Sequence, residues 1–205
     1  MENPHKNRAL VWDMGGVLVR NMDPSIRGRL AAPFGMTYLE LENLFFGSPA
    51  AYLASIGQAT EADAWEYVRQ KLNMRPEDMP AFIDAYWSCD QFDEELYAFT
   101  MALKPRIKVG LVSNAYPETR ASLERRFPHF YHMFDVAIFS AEVCMAKPDP
   151  RIYRMALAGL GVQPGEAVFV DDFIENVEGA RAVGMQAVHF KNSAQVRSEL
   201  KELLA

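Results

Sequence analysis

The sequence predicts an α/β fold: a doubly wound, Rossmann-like parallel sheet carrying an inserted all-helical cap. Three observations lead there. Five short apolar runs occur, at Ala9–Trp12, Ile107–Val112, Val136–Phe139, Ala167–Val170 and Gln186–His189. Unbroken runs of this length suit strands buried on both faces of a parallel sheet. Helical patterns separate the later runs, and such alternation implies right-handed βαβ units. The stretch Asp23–Phe99 then breaks the alternation with helical signals and no convincing strand.

In chain order, Ala9–Trp12 ends in Asp13-Met14-Gly15-Gly16, where the glycines mark a tight turn. Asp23-Pro24 pairs an N-cap residue with proline at the first helical position. Thr37 with Glu40 is a capping-box pattern, and Thr60 with Asp63 is its shorter acidic variant. Ala64, Trp65, Val68 and Leu72 recur at helical spacing, and Pro76 and Pro80 lead to a further helix, Ala81–Trp87. Beyond the insert, helices are expected at Glu118–Phe127, Pro150–Leu160, Glu175–Val183 and Ser193–Leu204, with Gly161 and Gly184 stopping the second and third. The expected division is a core of 1–19 and 100–205, and a helical cap of 20–99.

The chain has 205 residues, half of them hydrophobic and 23% charged, with a formal charge of −6. That length accommodates one sizeable α/β domain with an insert. No basic stripe accompanies the acidic balance, which argues against nucleic acid as a partner. No apolar run approaches a bilayer span, and polar Met1–Arg8 does not resemble a signal peptide, so no membrane association is expected. Cys89 and Cys144 stand far apart without a metal or redox spacing, which fits a cytoplasmic protein. Nothing in the pattern specifies an oligomeric state.

In doubly wound sheets, ligands sit beyond the carboxyl ends of the strands. Asp13, Ser113-Asn114 and Asp171-Asp172 all fall at such ends, and Lys147 lies in the loop after the third strand. A carboxylate ending a buried strand is costly unless it is paired. Two adjacent aspartates repel each other and invite a hard cation. A hydroxyl and an amide at Ser113 and Asn114 donate hydrogen bonds without adding charge. Lys147, stiffened by Pro148, supplies a compact positive charge.

The order Asp13, Ser113-Asn114, Lys147-Pro148, Asp171-Asp172 with Asn176 resembles the four motifs of the haloacid dehalogenase superfamily of hydrolases, and the helical insert resembles its first cap type. The resemblance covers about Ala9 to Phe190. It implies that Asp13 is the nucleophile and also a ligand of Mg²⁺, together with the Gly15 carbonyl and Asp172. It implies that Ser113, Asn114 and Lys147 bind a transferring phosphoryl group. Asp171 would act in the outer shell of the metal, and Asn176 would fix the loop or Lys147. Most phosphatases of the superfamily carry a second aspartate at the position of Gly15, where it protonates the leaving group and later activates water. Asp23 and Glu61 are candidate replacements.

The resulting expectation is a Mg²⁺-dependent phosphatase of small phosphorylated metabolites, sugar phosphates among them, working through an aspartyl-phosphate. Two alternatives stay open: another hydrolase of the superfamily, acting on a phosphonate or carbon–halogen bond, and a catalytically impaired binding or regulatory protein. The insert's aromatics Phe45, Phe46, Tyr52, Trp65, Tyr86 and Trp87 read as core at helical spacing. His129 and His132 read as ordinary loop residues.

Overall fold

A computed structural model describes residues 7–204. Residues 1–6 of the expected core, with most of the polar N-terminal stretch, lie outside the described residues. The strands are β1 (Ala9–Trp12), β2 (Val19–Asn21), β3 (Asp90–Phe92), β4 (Lys108–Ser113), β5 (Val136–Phe139), β6 (Ala167–Asp171) and β7 (Gln186–His189). The helices are α1 (Pro24–Ala31), α2 (Tyr38–Phe46), α3 (Pro49–Ser55), α4 (Glu61–Leu72), α5 (Met79–Ser88), α6 (Glu94–Leu103), α7 (Thr119–Arg126), α8 (Ser140–Val143), α9 (Pro150–Leu160), α10 (Ile174–Ala182) and α11 (Ser193–Leu203).

Five strands form one parallel sheet in the order β5-β4-β1-β6-β7. Because β1 sits at the centre, with β4 on one side and β6 on the other, the strand order reverses beside it and opens a crevice at the carboxyl ends. Side-chain alternation along β1 divides the core. Leu10 and Trp12 join Val109, Leu111, Val170 and residues of α6 and α11 on one face. Ala9 and Val11 join Val112, Phe169 and the apolar side of α9 on the other. All four β1 residues are fully buried, so both faces of the sheet are covered.

The segment between β2 and β3 carries five helices with an apolar cluster of their own, including Leu41, Phe45, Trp65, Phe82 and Tyr86. Its starts follow the capping signals. Asp23 accepts from the Ser25 N–H at 3.0 Å, and Thr37 with Glu40 and Thr60 with Asp63 form reciprocal capping boxes. The buried Arg27 guanidinium ties this segment together, meeting Glu42 at 2.5 Å and Asp90 at 2.7 Å and stacking 4.1 Å from the Tyr86 ring. Removing one partner of such a buried pair costs about 3–5 kcal/mol.

The expectation of no strand between Asp23 and Phe99 needs correction. Strand β3 lies there and pairs antiparallel with β2 through Val19↔Phe92 and Asn21↔Asp90. This two-stranded ribbon joins the helical segment to the sheet. At three residues a strand is too short to show periodicity, and Asp90-Gln91-Phe92 carries no β-branched residue to reveal it. Helix α6 also begins within that stretch, and its Leu96 packs in the sheet's cluster. Among the described residues no helix is long and apolar enough to cross a membrane.

Candidate active site

The carboxyl ends of β1, β4 and β6 bring Asp13, Ser113 and Asp171-Asp172 together, and the loop before α9 adds Lys147. Lys147 is 5% exposed and its ammonium lies 2.5 Å from Asp13 Oδ1 and 2.7 Å from Asp171 Oδ2. One oxygen each of Asp13, Asp171 and Asp172 lie within 4.8 Å of one another. Three carboxylates and one ammonium in a buried crevice leave an excess of negative charge.

Burial first, and this crowding second, raise the pKa values of Asp13 and Asp172. Burial pushes the Asp13 carboxyl up to about 8, with Asp171 and Asp172 adding to the effect and Lys147 opposing it. Burial, then Asp171, pushes Asp172 up to about 6. Lys147 is also held above its ordinary value, because Asp13 and Asp171 outweigh the cost of burying it. The ammonium is therefore retained, and among the described residues no second lysine or arginine pairs with these carboxylates.

Asp171 is the fully partnered member. It accepts from Lys147, from the Phe173 N–H at 2.8 Å, and from the Asn176 amide at 3.0 and 3.1 Å on its two oxygens. Asn176 thus fixes Asp171 rather than Lys147, and its own carbonyl accepts from the Tyr153 hydroxyl at 2.9 Å. Asp172 differs: its Oδ1 is buried and has no hydrogen-bond partner among the described residues. A carboxylate with a bare buried oxygen, grouped with Asp13 and Asp171, makes a donor set for a hard cation.

The turn after Asp13 is shaped for this arrangement. The Met14 carbonyl accepts from the N–H groups of Val17, Leu18 and Val19, while the Gly15 carbonyl takes none of these turn bonds. Gly15 is exposed, and a Cβ added there meets nothing within 4 Å.

Ser113 is 1% exposed and its hydroxyl has no partner among the described residues, so a buried donor waits at the end of β4. Asn114 is engaged with the lysine loop: its amide donates to the Lys147 carbonyl at 3.0 Å and accepts from the Lys147 N–H at 2.7 Å. It therefore sets the position of Lys147 through the backbone. The two candidate replacements for the missing aspartate are otherwise occupied. Asp23 caps α1, which holds its carboxyl below the ordinary range. The Glu61 carboxylate accepts from the indoles of Trp65 and Trp87, and burial raises its pKa.

Of the insert aromatics, Phe45, Trp65 and Tyr86 are core, Trp87 is half-buried, and Phe46 and Tyr52 are exposed. His129 pairs with Glu94 at 3.1 Å on the surface.

Two supporting residues escape sequence reasoning. His189 pairs with Asp171 in the β6–β7 register, and its ring Nε2 lies 2.9 Å from the Asp172 carbonyl. The Ser140 hydroxyl accepts from the Ala115 N–H at 2.9 Å and bonds the Ala115 carbonyl at 3.2 Å, anchoring the loop after Ser113. His189 had a signal available, since it ends the last strand of the sheet. Ser140 had none.

The haloacid dehalogenase-like hydrolase family profile matches residues 7–184. The mouse bifunctional epoxide hydrolase 2 is 37% identical over 86 residues, 42% of this chain, and the chain spans only 16% of that protein's length. A sesquiterpene phosphatase of Aspergillus oryzae is 26% identical over 200 residues, 96% of each chain. Among solved structures, a family enzyme from Bacteroides thetaiotaomicron, in complex with magnesium and inorganic phosphate, superposes with a TM-score of 0.73 at 23% identity, covering 93% of this chain and 98% of that one.

Proposed function

The chain belongs to the haloacid dehalogenase-like hydrolases, and from that premise we propose that it is a Mg²⁺-dependent phosphatase of small phosphorylated metabolites. The observation that carries this reading is the carboxylate trio, with Asp13 and Asp171 buried, Asp172 half-buried and one buried Asp172 oxygen bare among the described residues. Metal carboxylates are not needed to displace a halide from carbon, so the trio favours phosphoryl chemistry. The relative from Aspergillus oryzae, matched along almost its whole length, points the same way.

Asp13, the Gly15 carbonyl and Asp172 are the groups that would hold Mg²⁺. Bound there, the metal offsets the repulsion between an anionic nucleophile and an anionic phosphate. Asp13 attacks phosphorus in line as the P–O bond to the leaving group breaks, and that oxygen departs as an alkoxide or phenoxide that takes its proton from solvent, since Gly15 supplies none. Ser113 donates its free hydroxyl to a non-bridging oxygen, and Lys147 places its ammonium beside the nucleophile and the transferring group. Asn114 holds the lysine loop in register, and Asp171, clamped by Asn176, holds the ammonium. Water then releases phosphate from Asp13. The helices between β2 and β3 act as a cap that excludes bulk water and selects the substrate.

Gly15 removes the group that most relatives use to protonate the leaving oxygen, an effect typically worth about 10²–10⁴-fold. Asp23 and Glu61 are engaged elsewhere. Substrates with good leaving groups are therefore favoured: sugar 1-phosphates, acyl phosphates or aryl phosphates.

The test is phosphate release from a panel of phosphorylated metabolites and an aryl phosphate, with Mg²⁺ or with chelator, alongside Asp13→Asn. Release that needs both Mg²⁺ and Asp13 supports the reading. No release above the Asp13→Asn level, from a folded protein that binds Mg²⁺, overturns it and directs attention to phosphonate and halide substrates or to a binding role.

A further inference from the structure

The fold carries a second charged concavity, far from Asp13. A cavity of about 340 Å³ opens at the amino-terminal end of the sheet, lined by Arg8, Lys104, Arg106 and Lys108 with Asp135. Arg8 immediately precedes β1 and Lys108 opens β4, and the Lys108 N–H donates to the Arg8 carbonyl at 2.8 Å. Asp13 and Ser113 lie at the other ends of these same strands. At about 3.3 Å per residue, the two sites are about 15–20 Å apart.

The charge balance at this cavity is the reverse of that at the site. Lys104 meets Asp135 at 3.4 Å and Arg8 meets Glu166 at 3.3 Å. Arg106 and Lys108 are exposed and form no ion pair or side-chain hydrogen bond among the described residues. Four cations thus face two carboxylates, in a chain whose net charge is −6. Solvated lysines and arginines are ordinary on a flat surface. Here two cations with no carboxylate partner among the described residues border one concavity whose volume falls in the range of small-ligand sites.

We propose that this cavity binds a small polyanion of the diphosphate class. A guanidinium offers a fork of N–H donors to phosphoryl oxygens, and an ammonium offers a point charge. Two neighbouring cations, unpaired among the described residues, match two linked phosphoryl groups. Placement at the far end of the sheet leaves the catalytic crevice open, so ligand and substrate occupy the protein together.

The experiment is calorimetric titration of the full chain with inorganic pyrophosphate, in chelator and at fixed low ionic strength, against wild type, Arg106→Ala/Lys108→Ala, and Ser113→Ala. Both cations are exposed, and the single variants Arg106→Gln and Lys108→Gln back up the double one. The expected result is saturable binding that weakens by about tenfold or more in the double variant and is unchanged in Ser113→Ala. Inorganic phosphate is expected to bind more weakly by a similar factor. Equal binding by wild type and double variant overturns the site, as does a loss that follows Ser113→Ala. Equal affinity for phosphate and pyrophosphate overturns the diphosphate assignment.

Discussion

Gly16 and Asp172 occupy adjoining space: a Cβ built on Gly16 would lie 2.1 Å from Asp172 Oδ2. Gly16 also has φ +78°, a conformation that side chains resist. The glycine turn after β1 and the aspartate after β6 are therefore one design, in which the first gives up its side chain so that the second can reach inward. Gly16→Ala is expected to cost about 1–3 kcal/mol of stability and to weaken Mg²⁺ binding by displacing Asp172. Calorimetric titration with Mg²⁺ checks this. Unchanged affinity in the variant would mean that Asp172 does not hold the metal.

Gly15 behaves oppositely. Its added Cβ meets nothing and its φ is not in the left-handed region. Gly15→Asp is therefore expected to fold normally and to gain a leaving-group acid. The gain should reach about 10²-fold on alkyl phosphates and be small on aryl phosphates, which leave without a proton. A plot of rate against leaving-group pKa checks it, and the variant's slope should be shallower than that of wild type.

The bare Ser113 hydroxyl makes another separation possible. With no partner among the described residues, its removal breaks no hydrogen bond there. Ser113→Ala is expected to melt within a degree or two of wild type, while kcat/KM falls by about 10²-fold through the loss of one oxyanion donor. A large loss of stability with unchanged kcat/KM would reassign Ser113 to structure.

Acidity gives a fourth expectation. Asp13 is raised to about 8 and Asp172 to about 6, from 3.8. In that window the folded chain holds more protons than the unfolded one, so the stability of the metal-free protein falls as pH rises. Between about pH 4 and pH 8 the melting temperature in chelator should decline, and Asp13→Asn should flatten the decline. Mg²⁺ binds the ionised carboxylates and should raise stability most at the alkaline end. A melting temperature that climbs across the window would contradict the crowding of negative charge at the site.

Much of this was legible in the chain. The five apolar runs locate the parallel sheet, because strands buried on both faces write themselves as unbroken runs. Asp13, Ser113, Lys147 and Asp171-Asp172 could be read as one group because the topology of such a sheet places strand ends together. What was not legible is what pairs with what. Asn114 reads as a substrate-facing amide, yet the structure spends it on the Lys147 backbone. Asn176 clamps Asp171, a choice made by helix geometry that spacing alone does not rank. His189 reaches the Asp172 carbonyl through strand register, a relation between residues on different strands. The ribbon of β2 and β3 escaped notice because pairing, not side-chain pattern, makes those strands.

In the proposed reaction Asp13 becomes phosphorylated. Because Gly15 supplies no base to activate water, the second half of the reaction should be slow and the intermediate should accumulate. The most direct measurement is acid quench during turnover of an aryl phosphate, followed by mass analysis of the peptides. The account predicts one added phosphoryl group on the peptide containing Asp13, formed only with Mg²⁺ and absent from Asp13→Asn. Phosphate release by Asp13→Asn at the wild-type rate, with no modified peptide in either protein, would contradict it.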